Sequence, residues 1–103
     1  MKCGEVRWYT FKQPDKKRPV VILTRNSVIN YLGEITIAPI TTTIRDIPSE
    51  VFLSKGGNMP RDCAINCDHI QTVSKNKIGS LITTLTGEQR EQLKQAILFA
   101  LEL

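Results

Sequence analysis

The chain has 103 residues, 41% of them hydrophobic, with a formal net charge of +4. That length supplies a core for one compact domain, read as residues 1–103, without disulfide or metal staples. No apolar run approaches the roughly 20 residues of a membrane-spanning helix, and Met1-Lys2-Cys3-Gly4-Glu5 leads into polar sequence rather than an apolar leader. A cytoplasmic protein with no membrane role is therefore expected, and its positive charge has the sign that phosphate-bearing partners favour.

Residues 5–11, Glu-Val-Arg-Trp-Tyr-Thr-Phe, are rich in aromatic and β-branched types and predict a strand. Residues 12–18 predict a loop, and Pro19 suits the first position of the next strand, where a missing N–H does least harm. Val20-Val21-Ile22-Leu23 is apolar on both faces, the mark of an interior strand. Residues 24–33 allow either a short helix or an irregular connection. Residues 35–40 predict a further strand that bulges or leaves the sheet at Pro39. The hydroxyl run Thr41-Thr42-Thr43 follows that break.

Residues 50–53 predict a short strand, and 55–60 a loop by their glycines and proline. Across 61–73, period-two reading puts Cys63, Ile65 and Cys67 on a core side and Asp62, Ala64, Asn66 and Asp68 on a polar one. Residues 78–82 predict another strand. Thr86-Gly87-Glu88-Gln89 matches a T-x-x-Q capping box, and Leu93, Ala96, Ile97, Ala100 and Leu101 recur at helical spacing. Five or six short strands closed by one amphipathic helix predict a mainly β fold, a small and strongly bent barrel or half-barrel.

Three cysteines, Cys3, Cys63 and Cys67, form no C-x-x-C pair and read as reduced thiols. On a strand over 62–67, Cys63 and Cys67 would lie about 13 Å apart at about 3.3 Å per residue, too far for a disulfide or for two ligands of one metal. No metal site and no cofactor are expected. His69 is the only histidine, which excludes a histidine-pair mechanism within one chain. It reads either as a surface residue or as an acid–base group.

Lys16, Lys17 and Arg18 run directly into Pro19 and the apolar strand. Arg18 reads either as a solvated strand-start residue or as a phosphate ligand, because a guanidinium stays charged and grips a phosphate through two parallel N–H bonds. The lysines add field. The threonine run reads either as β-compatible surface or as hydroxyl donors at a strand end. Asp68 reads as a turn residue or as a group that positions or deprotonates a ribose hydroxyl.

GEVRWYTF, RPVVIL, ITIAPITTT, INCDHIQTV, KIGSL and the final helix, in this order, resemble the MazF/PemK-type toxins of bacterial toxin–antitoxin pairs over nearly the whole chain. The resemblance implies an SH3-like small barrel and a homodimer that cleaves single-stranded RNA sequence-specifically without a metal. Attack by the ribose 2′-OH would leave 2′,3′-cyclic phosphate and 5′-OH ends. It implies Arg18, Thr41 and Asp68 as catalytic residues, while Lys16, Lys17, Arg25, Thr42, Thr43, Arg45, Asn66, His69 and Gln71 are RNA-binding candidates by residue type and not by carry-over from the family. Trp8 joins Arg25, Arg45, His69 and Gln71 as a candidate base reader. A cognate antitoxin would block the RNA groove with an acidic flexible segment.

Two departures stand out. Where some relatives carry R-x-D, this chain reads Asn66-Cys67-Asp68, and residues 12–17 lack the Gly-Ser/His-Glu residues many relatives place before R-P. Alternative readings are a non-catalytic toxin of the same fold that poisons DNA gyrase and an inactive relative that binds RNA or antitoxin.

Overall fold

Seven strands form one strongly curled sheet in the computed structural model, which describes residues 1–11, 16–57 and 59–103. β1 (Glu5–Thr10) pairs antiparallel with β2 (Lys17–Ile22), setting Val6 opposite Val21 and Tyr9 opposite Arg18. The short helix α1 (Asn26–Ile29) leads to β3 (Glu34–Thr41), and β4 (Glu50–Leu53) follows. β5 (Cys63–Asn66) lies between β4 and β3. β6 (Gln71–Ser74) pairs with β3, and β7 (Ile78–Thr84) with β1. Helix α2 (Gly87–Ala100) closes one side. The result is a mainly β half-barrel with a C-terminal helix, and none of its described helices is long and apolar enough to cross a membrane.

Alternate residues of β2 feed two cores, which is why its apolar run has no polar break. Val21 packs with Val6, Ala38, Ile40 and Ile65, together with Leu93 and Ala96 of α2. Val20 and Ile22 pack on the other side with Tyr9, Ile29, Ile35 and Ile37. All three β2 residues are fully buried.

β2 begins at Lys17, two residues before Pro19, so Lys17 and Arg18 belong to the strand rather than to the expected loop. The Phe11 N–H donates to the Lys16 carbonyl at 3.0 Å. In this alternating register Tyr9–Arg18 is then a hydrogen-bonded pair, and Trp8–Pro19 is a non-bonded one. The N–H that Pro19 lacks would point away from β1, toward β3 just past the last pair that β3 makes with β2. Val20–Pro39 is non-bonded by the same alternation, so the N–H missing at Pro39 points away from β2. β6 has ended there at Ile37, and β5 begins only at Ile40. Both prolines thus sit where the ladder has no partner for them, the tolerated place for proline in a sheet. β3 does leave β2 at Pro39, as its sequence suggests, and continues to Thr41 on a new partner.

The stretch 61–73 is not one strand. A 3₁₀ turn (Cys67–His69) divides β5 from β6, which accounts for the seventh strand. All four β5 residues are buried, including Ala64 and Asn66, so the expected polar face is corrected: β5 is an interior strand with both faces covered. The expected capping box is present, with the Gln89 N–H donating to Thr86 Oγ1 at 3.1 Å and the Thr86 N–H to Gln89 Oε1 at 2.9 Å. Leu101 was expected on the apolar face of α2, but it lies past the helix end and is exposed.

Candidate active site

The parting of β2 and β3 opens a cleft of about 600 Å³. Its lining includes Lys16, Lys17, Arg18 and Pro19 from β2 and its approach, then Ile40, Thr41 and Thr42 from the end of β3. Trp8 of β1 joins them, and Met59, Pro60, Arg61 and Cys63 close the far wall. Four cations therefore surround the space, and among the described residues none that lines it is acidic. Among the described residues no carboxylate pairs with Arg18. This is the charge arrangement of an anion site.

Arg18 and Thr41 reach the cleft through register. The β2–β3 ladder pairs Ile22 with Ile37, Val21 with Ala38 and Val20 with Pro39. Beyond Val20 and Pro39 the strands part, Arg18 staying paired with Tyr9 of β1 and Thr41 with Ala64 of β5, and both residues line the opening between them. The Thr43 N–H donates to Thr41 Oγ1 at 3.0 Å. That bond uses the oxygen as acceptor and leaves the hydroxyl proton to be given to a ligand. Cys63 brings a thiol to the cleft, but burial and then the neighbouring Asp62 charge raise its pKa. It is protonated at neutral pH and is a poor nucleophile or metal ligand there.

Of the RNA-binding candidates, Lys16, Lys17 and Thr42 line the cleft. Thr43 is exposed beside it. Arg25 stands exposed at the start of α1. The Arg45 backbone N–H is taken by Glu50 Oε1 at 2.9 Å and its guanidinium lies 4.0 Å from Glu50 Oε2, so part of its role is to hold the loop before β4. Residues 12–15 of the loop before R-P lie outside the described residues.

Asp68, His69, Asn66 and Gln71 do not line this cleft. Asn66 is 5% exposed and both ends of its amide are engaged internally. Its Oδ1 accepts the Asp68 N–H at 3.0 Å, and its Nδ2 lies 3.3 Å from His69 Nδ1. It caps the 3₁₀ turn rather than presenting a polar face, which corrects the surface expected for it. Asp68 is exposed and accepts the Ser49 hydroxyl at 2.6 Å. It borders a separate depression made by Leu98, Phe99, Ala100, Leu101 and Glu102 at the end of α2. His69 and Gln71 are exposed nearby, with Gln71 Nε2 donating to the His69 carbonyl at 3.3 Å. Among the described residues no cluster of three His, Cys, Asp or Glu side chains is arranged to hold a metal ion.

Sequence reasoning missed Arg61. The available signal was a lone arginine after Met59-Pro60, but only folding shows that it lines the same cleft as Arg18.

Residues 2–101 match the model of the PemK-like, MazF-like toxins of type II toxin–antitoxin systems. The chain is 38% identical over 91 residues to endoribonuclease MazF3 of Mycobacterium tuberculosis, covering 88% of each protein. Its fold superposes on the M. tuberculosis toxin MazF-mt6 with a TM-score of 0.88 and 33% identity, covering 96% of this chain and 97% of that one. A mycobacterial endoribonuclease solved in complex with its cognate antitoxin shares the fold, at TM-score 0.86 and 23% identity over 100% of this chain and 96% of the other.

Proposed function

The chain belongs to the PemK-like, MazF-like toxins of type II toxin–antitoxin systems, and from that premise we propose that its basic cleft binds and cuts single-stranded RNA. The observation that carries this reading is the meeting of Arg18 and Thr41 in a cleft that four cations line. Residues 1–103 act as one endoribonuclease domain.

RNA supplies its own nucleophile. The ribose 2′ oxygen attacks the adjacent phosphorus, the bond from phosphorus to the 5′ oxygen breaks, and a 2′,3′-cyclic phosphate and a 5′-hydroxyl result. Arg18 pairs with the non-bridging oxygens and stabilises the charge of the crowded phosphorane, remaining protonated throughout. The Thr41 hydroxyl donates to one of the same oxygens. The leaving 5′ oxygen takes its proton from water.

Asp68 enters this scheme through assembly. It borders the end of α2, where Phe99, Leu101 and Leu103 are all more than half exposed, an apolar surface suited to a second copy. In a homodimer whose RNA groove runs along that contact, Asp68 orients the 2′-OH or accepts its proton, with the Ser49 hydroxyl holding the carboxylate. The same basic groove suits an acidic, flexible antitoxin segment. The structural relative solved with its cognate antitoxin supports an antitoxin as partner.

The decisive experiment incubates the purified protein with a long unstructured RNA in EDTA. Cleavage with cyclic-phosphate and 5′-hydroxyl ends is expected, and it should vanish when the nucleotide 5′ of the cut is 2′-deoxy. A requirement for Mg²⁺, 5′-phosphate ends, or cutting at the deoxy position would overturn the mechanism.

A further inference from the structure

Beside the Arg18–Thr41 pair the cleft has an aromatic wall, and its placement follows from an irregularity in the sheet. On the β1–β7 ladder Arg7 pairs with Leu81, but Tyr9 pairs with Ile78. One residue of β1, Trp8, therefore faces two of β7, Gly79 and Ser80. This is a β-bulge, a device that re-aims a side chain and recurs next to active sites. The Arg7 guanidinium secures it by donating to the Gly79 carbonyl at 3.0 Å, with its Nε bound to Glu5 at 2.8 Å. Gly79 packs closely on the Trp8 backbone, where a side chain would lie 3.5 Å from its carbonyl and 3.6 Å from its Cβ.

Trp8 lies in the same non-bonded pair as Pro19, one residue from Arg18. It is partly exposed and lines the cleft with Arg61. Large aromatics of small domains usually complete a core, yet Trp8 belongs to neither hydrophobic cluster, whereas its neighbour Tyr9 does. An indole at the edge of a basic cleft offers a face for a nucleobase, and stacking requires no particular base edge.

We infer that Trp8 is a base-stacking platform for the nucleotide next to the scissile phosphate, with Arg61 gripping the adjoining phosphate. The inference rests on the RNA-cleaving reading of the cleft, and it adds a subsite that holds the RNA in register with Arg18. Stacking on Trp8 fixes the strand sideways, and the two arginines fix it lengthwise.

Because Trp8 is the only tryptophan, its fluorescence reports this site alone. The probe is a short mixed-sequence RNA with every 2′-hydroxyl methylated, which binds but cannot be cut, carrying a dye whose anisotropy reports binding independently. Bound RNA should quench Trp8, and an abasic ribose–phosphate strand of the same length should bind without comparable quenching. Trp8→Leu should weaken RNA binding roughly ten- to hundred-fold, the range expected for a lost stack, while Trp8→Phe keeps most of the affinity. On unmethylated RNA the loss in Trp8→Leu should fall on KM more than on kcat. Arg61→Ala should reduce the slope of log affinity against log salt by about 0.7, one phosphate contact on a single strand.

Unchanged emission on bound RNA, equal quenching by the abasic strand, or parental binding by a folded Trp8→Leu variant would each overturn the proposal. Quenching in a protein that leaves unmethylated RNA intact would instead overturn the nuclease reading and leave the stacking site standing.

Discussion

Arg18 and Thr41 line one cleft where β2 and β3 part, each two residues beyond the last pair of their shared ladder, Val20 with Pro39. Their backbones belong to the ladders with β1 and β5, while both residues line the cleft. Past that pair β2 stays on β1 while β3 pairs with β5, which leaves the cleft open between them.

Substitution of this pair should therefore affect activity far more than stability. Arg18→Ala is expected to lower kcat/KM for RNA cleavage by roughly 10²–10³, the usual effect of deleting one preorganised donor. Arg18→Lys should recover only part of that, because an ammonium cannot reproduce the two-pronged contact. Thr41→Ser should keep activity and Thr41→Val should lose it. Cleavage rates with thermal melts as the folding control decide the matter, and parental rates in Arg18→Ala or Thr41→Val would remove that residue from the mechanism.

Gly4 has φ +89°, and a Cβ there would collide with the Arg90 guanidinium. That guanidinium donates to the Cys3 carbonyl at 2.8 Å, while the Gly4 N–H and carbonyl bond Ile22 and Leu85. Gly4→Ala should destabilise the fold by about 1–3 kcal/mol from backbone strain and the lost Arg90 contact. Urea unfolding measures it, and an unchanged midpoint would contradict the tight packing at this junction.

Cys67 is 1% exposed, and burial followed by the Asp68 charge pushes its thiol up from 9.0 to about 11. The folded state thus holds its proton longer than the unfolded chain. The stability this gives is fully present below pH 9, is lost as pH rises toward 11, and levels off above that. The size of that loss is roughly 2–3 kcal/mol. Cys67→Ala should flatten this part of the stability–pH curve, and an identical slope in both proteins would show that Cys67 does not contribute to it.

At the end of α2, Leu103 N–H bonds the Leu98 carbonyl at 2.9 Å and Glu102 N–H bonds the Phe99 carbonyl at 3.3 Å. This is a Schellman closure with Glu102 in the left-handed position at φ 55°. Glycine is the residue that fits there without strain. Glu102→Gly should raise stability by about 0.5–1 kcal/mol. A lower melting temperature would refute that account of the helix end.

The local grammar of this fold was legible. Val20-Val21-Ile22 declared an interior strand because covered faces demand apolar residues at every position, and Thr86 with Gln89 declared a helix start because a capping box is satisfied within four residues. Pro39 announced a break because it has no N–H to give. The failures came where burial overrides periodicity. Ala64 and Asn66 read as surface in a period-two pattern, but β5 lies between two strands with both faces covered, and Asn66 is satisfied by the turn it caps. Arg61 carried no periodic signal, and the bulge that aims Trp8 is invisible in β1 because its extra residue lies in β7.

The sequence by itself determined the interior strand β2, the break at Pro39, the cap of the last helix, the family resemblance and the two residues, Arg18 and Thr41, on which the chemistry is proposed to rest. Those signals depend on neighbours in the chain or on a motif. Only the tertiary structure decided that Arg18, Thr41, Trp8 and Arg61 share one cleft and that Asp68 borders another surface. That decision belongs to strand register and to the exchange of partners at Pro39, which couple residues distant in sequence through the geometry of the sheet.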